Sequence, residues 1–123
     1  VQIRLFTMNL KFIRKAIEEL LMKNLNRVNV DVIYDVYVEF VKEFASGIDK
    51  RFKNVEKWDI EMLDEAVDAI SDSLGGSAKV YEVWDEIWDA KIERRDVETN
   101  VIKSILDIID LAEKKYGRKT IDK

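Results

Sequence analysis

Residues Val30 to Lys53 read VDVIYDVYVEFVKEFASGIDKRFK, the longest unbroken run of helically spaced apolar residues in the chain. Advancing about 100° per residue from Val30 gathers Val36, Phe40, Ile33, Phe44, Tyr37, Ile48, Val41, Tyr34, Phe52, Ala45 and Val38 into one arc. The arc spans roughly 200°, whereas ~100° suffices for a helix resting on one neighbour. The spacing therefore predicts a long central helix covered from two sides. Asp31, Asp35, Glu39, Lys42, Glu43 and Ser46 fill the narrow wet face. Val and Ile favour strand when taken alone, but strict alternation would put no polar residue between Val36, Tyr37 and Val38, so the helical period decides. Asn29, with Asp31 in the first turn, supplies an N-cap for the free backbone N–H groups.

The rest of the chain is built to pack on that helix. With 123 residues, 47% hydrophobic and 37% charged, it is long enough for one core and too apolar for disorder, so we expect a single helical domain over 1–123. It has no Cys and no His. That excludes disulfides, zinc–thiolate sites and thiol nucleophiles, and removes the usual general base and the commonest transition-metal ligand. Without His, a Ser nucleophile has no ordinary activating base. No Pro, no Cys and heavy use of Lys, Glu and Asp lean toward a thermophile. No run approaches the ~18 apolar residues of a membrane span and no signal-peptide pattern is present, so a cytoplasmic protein with no membrane partner is expected. A net charge of -4 speaks against nucleic acid as the main partner.

Taken in order, Val1, Ile3 and Leu5 alternate with Gln2 and Arg4, which predicts a short extended N-terminal arm; a natural start at Met8 after a non-native leader is left open as an alternative. Thr7 caps a first helix from Met8 to Leu25, with Leu10, Ile13, Ala16, Ile17, Leu20 and Leu21 as its stripe. Asp59 caps a third helix running to Leu74, ended by Gly75-Gly76. Ser77 caps a fourth through Val80, Trp84, Ile87 and Ile92. A fifth carries Val97, Val101, Ile102, Ile105, Leu106, Ile108, Ile109 and Ala112, and Gly117 stops it. Between the last two, IERRDVETN holds no Gly or Pro, which leaves one bent helix as an alternative; the stripe loses phase near Arg94 to Asp96, so a break is expected there, with Asp96 as cap.

Charge is segregated on the third and fourth helices. Glu61, Asp64, Glu65, Asp68 and Asp72 line one wet face, Glu82, Asp85, Glu86 and Asp89 the other, and Lys79 is the one basic residue from Trp58 to Ala90. Like charges at i,i+4 repel by a few tenths of a kcal/mol, so such a face suggests a solvated surface, a dock for a basic protein partner, or a hard-metal site. For the metal, Glu61, Asp64, Glu65 and Asp68 are the candidate ligands. Their pattern, ExxDExxD, resembles the ExxD half of MazG-type nucleotide pyrophosphatases, all-helical magnesium enzymes whose preceding helix carries EExxE. Here Glu39 and Glu43 stand in that place without the adjacent pair. The resemblance implies Mg as cofactor and nucleotide hydrolysis as activity.

The order of helices over residues 10 to 74 resembles the histone fold, in which a long helix lies between two short ones. RVNVD at Arg27 to Asp31 and GRKTI at Gly117 to Ile121 are similar to archaeal histone loops, although GRKTI here ends the chain. That resemblance implies DNA binding, with Arg27, Lys53 and Lys57 on phosphates. Tyr81, Trp84 and Trp88 form a stripe at i, i+3 and i+7, expected at a core or a subunit interface. We therefore expect an all-α bundle of four or five helices, with no catalytic residue and no cofactor, acting through self-association or protein–protein contact. It should be a homodimer with Tyr81, Trp84 and Trp88 at its interface. The alternatives are the MazG-like pyrophosphatase and the histone-like DNA binder.

Overall fold

In the computed structural model, residues 2–23 and 26–117 are described, with side chains for 10–23 and 26–115. The fold is an all-α bundle of five helices: α1 (Gln2–Met22), α2 (Val30–Ile48), α3 (Ile60–Ser73), α4 (Ala78–Glu93) and α5 (Thr99–Ala112). A 3₁₀ turn (Lys50–Phe52) follows α2 and a π-type turn (Glu113–Gly117) follows α5. The wide apolar arc of α2 is satisfied as its width demands, since α2 packs against α1, α3 and α4 at once. Its inward side chains Ile33, Tyr37, Phe40, Val41, Phe44 and Ala45 are fully buried. Tyr37, Phe40 and Phe44 form a ladder of tilted rings 5.8 and 5.6 Å apart. α5 closes the bundle against α1 and α4, and buries Ile102, Ile105, Ile108 and Ile109.

Local chemistry sets most of the boundaries. The Asn29 side chain accepts from the Asp31 N–H at 2.8 Å, and Asp59 from the Met62 N–H at 2.9 Å, so both expected caps operate. After Ser73 the Gly76 N–H reaches back to the Ser71 carbonyl at 2.8 Å and the Gly75 N–H to Asp72 at 3.2 Å, with φ +81° and +77° at the two glycines. This is the Schellman ending, which needs a left-handed residue just past the helix. Ser77 precedes α4 without a side-chain cap; its carbonyl instead accepts from the buried Ser71 hydroxyl at 2.9 Å.

Some expectations need correction. Gln2 to Phe6 belong to α1 and are not an extended arm, and Thr7 lies within the helix and not at its start. A lone strand leaves its backbone groups unpaired, whereas extending an existing helix adds a hydrogen bond for each residue fixed. The central helix ends at Ile48, five residues before Lys53. There Asp49 turns extended (φ -145°) and its carboxylate accepts from the Arg51 N–H, starting the 3₁₀ turn that tucks Phe52 into the core. With α1 at 21 residues and α2 at 19, the short–long–short order of the histone resemblance is absent. GRKTI falls outside the described residues beyond Gly117.

The expected break between the fourth and fifth helices is present, and it has a second use. Residues before α2 and before α5 pair as a two-stranded antiparallel sheet, β1 (Arg27–Val28) with β2 (Val97–Glu98), Arg27 opposite Glu98 and Val28 opposite Val97. Thr99 adds two bonds to the Asn26 carbonyl, from its N–H at 3.2 Å and its hydroxyl at 2.8 Å. Because α5 starts only at Thr99, Asp96 is not its cap. Among the described residues no helix is long and apolar enough to cross a membrane.

Candidate functional site

α3 and α4 lie side by side, but four of their carboxylates are engaged with neighbouring side chains and the set does not converge. Asp64 accepts from the indole N–H of Trp84 at 2.8 Å. Asp68 accepts from the Tyr81 hydroxyl, which pushes the Tyr81 phenol above its usual range. Glu65 faces Arg51 at 3.4 Å, and Glu86 takes a 2.7 Å bond from Arg95. Glu61 sits exposed in the first turn of α3, where its charge suits the helix N-terminus. Among the described residues no three carboxylates stand close enough together to hold a metal ion. Glu39 and Glu43 belong to another face of α2, toward α1.

Of the three aromatics on α4, Trp84 is only 4% exposed. It stacks on Tyr34 and Tyr37 at 6.1 and 6.2 Å and lies 6.0 Å from Trp88. The apolar surface that three aromatics bring to α4 is therefore hidden largely within one chain. Trp88 is half-buried against Tyr34, and Tyr81 alone is exposed, held by Asp68. This follows from the width of α2: its Tyr34–Tyr37 edge needs a planar cover, which α4 supplies.

Arg27, Lys53 and Lys57 do not gather at one place either. Arg27 precedes α2 while Lys53 and Lys57 follow it, so the helical rise separates them by roughly 28 Å. At the α2 start, Lys91 reaches Asp31 at 3.2 Å and lies 4.3 Å over the Tyr34 ring. Arg95 is held there between Glu86 and Glu93, whose hydrogen bonds raise its pKa further. Arg14 is taken up at the far side of α1. It bonds Asp110 and, at 2.6 Å, Glu113, tying α1 to α5 and the π-type turn. Partial burial disfavours its charge, but these two carboxylates outweigh that and raise its pKa.

A chiefly apolar cavity with a volume of about 360 Å³ lies between α1 and α2. Ile13, Ala16 and Val36 form its apolar floor; Phe12 stands on one wall, and Asp35, Glu39 and Glu43 on the other. Phe12 is 76% exposed, on a helix whose neighbours Leu10, Ile13 and Ile17 are buried. The sequence reading missed this place because Phe12 lies off the stripe of α1 and Val36 was counted among the buried arc of α2. A single phenylalanine out of phase with its own helix was the available signal. Comparison with family models, with curated proteins and with solved structures finds no match for this chain.

Proposed function

We propose that this chain acts by association and not by catalysis, as a cytoplasmic homodimer whose docking face lies on α1 and α2. The observation that carries the reading is the groove with Phe12 beside it. A large aromatic side chain left 76% in water next to an apolar concavity is a costly surface for a chain that remains alone. The state of the acidic residues supports the same reading. Asp64 and Asp68 act as acceptors that position Trp84 and Tyr81, which is a structural employment of the side chains the metal-site reading would need. Sedimentation equilibrium of the parent chain tests it. A dimer is expected at tens of micromolar, and a monomer throughout that range would overturn it.

A further inference from the structure

The face formed by α1 and α2 is complementary to itself. On α1, Lys11 and Lys15 are exposed one turn apart along one flank of Phe12, and neither makes an ion pair among the described residues. On α2, Asp35 and Glu39 are exposed one turn apart on the wall facing Phe12. The short link between the helices makes them antiparallel neighbours, and the groove sets their register by joining Phe12 and Ala16 to Val36 and Glu39. At 1.5 Å per residue, Lys15 then stands level with Asp35 and Glu39, and Lys11 level with Glu39 and Glu43. A basic strip and an acidic strip thus run side by side, with an apolar knob and an apolar hollow between them.

From this arrangement we propose that the occupant of the groove is α1 of a second copy, related by a two-fold axis running parallel to the helices. The proposal rests on the association reading above and specifies its geometry. Rotation about that axis lays α1 of each copy over α2 of the other, seats each Phe12 in the other's groove, and brings Lys11 and Lys15 onto the partner's Asp35 and Glu39. Such an interface is isologous and closes at two copies. The other face-to-face arrangement, with the axis across the helices, lays α1 on α1 and sets Lys against Lys, which like-charge juxtaposition disfavours. The charges therefore select the axis.

Charge reversal on each strip tests the geometry. One variant carries Lys11→Glu with Lys15→Glu, the other Asp35→Lys with Glu39→Lys; all four positions are exposed, and helical circular dichroism checks that each variant folds. In sedimentation equilibrium each variant alone is expected to dissociate at least ~10-fold more readily than the parent, since coupled interfacial charges carry more than 1.4 kcal/mol. Mixing the two at equal ratio restores the dimer to within about threefold of the parent, because every cross-chain pair is then opposite in sign. Folded variants that dimerise like a dimeric parent, or a mixture that stays monomeric, would overturn the geometry while leaving association standing. Loss of dimer in the α1 variant alone would do the same. A parent that is itself monomeric removes both.

Discussion

The phenol of Tyr37 lies wholly inside the bundle and donates to the Val80 carbonyl of α4 at 3.0 Å. Among the described residues no buried polar side chain lacks a partner, so this bond is the condition on which a Tyr sits where a Phe would fit. Tyr37→Phe should cost about 1 kcal/mol, the usual net worth of a buried hydrogen bond, as read by urea titration. The same burial raises the phenol's pKa well above its ordinary range. Above pH ~10 the unfolded chain then loses a proton that the folded chain keeps, so stability falls as pH rises. The hydrogen bond from Tyr81 to Asp68 acts in the same direction at that exposed site. Melting temperature measured from pH 8 upward should decline less steeply in Tyr37→Phe than in the parent; equal slopes would rule out the linkage.

Two of the five helices end in the same hydrogen-bonded motif, with different residues in the demanding position. Past α3 it is Gly75; past α4 it is Arg94, held at φ 57°, ψ 47°, with the Arg95 N–H bonded to the Ala90 carbonyl at 3.0 Å. A left-handed non-glycine residue is strained by ~1 kcal/mol, and the Arg94 side chain makes no bond among the described residues that would offset it. Arg94→Gly should therefore stabilise the protein by roughly 0.5–1 kcal/mol, and a loss of stability in a thermal melt would contradict this. The pair also shows what was legible. Gly75-Gly76 announced one helix end outright, whereas the end at Glu93 showed only as a lost phase in the apolar stripe, because Arg94 carries no stop signal. Asn29 and Asp59 were readable as caps since side-chain acceptors act within three residues. The β1–β2 pair was not, because strands of two residues have no period and their partners lie about seventy positions apart.

Across the whole molecule, the helices were readable because each needs one apolar face, and the assignment of partners was not, because periodicity fixes which side is buried without saying what covers it. Trp84 illustrates the point: its place on the stripe of α4 was plain, yet its stacking on Tyr34 and Tyr37 depends on how α2 and α4 meet. The acidic faces illustrate the converse, since nine segregated carboxylates look alike in sequence while Asp64, Glu65, Asp68 and Glu86 each answer a specific donor. With those acceptors in use, added magnesium should leave the melting temperature of the parent unchanged. A rise that grows with magnesium concentration, and is lost on Asp64→Asn with Asp68→Asn, would instead indicate a folded-state metal site.

Association through the α1–α2 face is tested most directly by the solution mass of the parent beside that of Phe12→Asp. Phe12 is 76% exposed, so a carboxylate there costs the single chain little, yet in the paired arrangement it would be driven into an apolar hollow walled by Asp35 and Glu39. Light scattering across a concentration series should give the parent a mass approaching twice 14.5 kDa at tens of micromolar, and should give Phe12→Asp 14.5 kDa with its helical content unchanged. Two proteins of equal mass at every concentration would contradict the assignment.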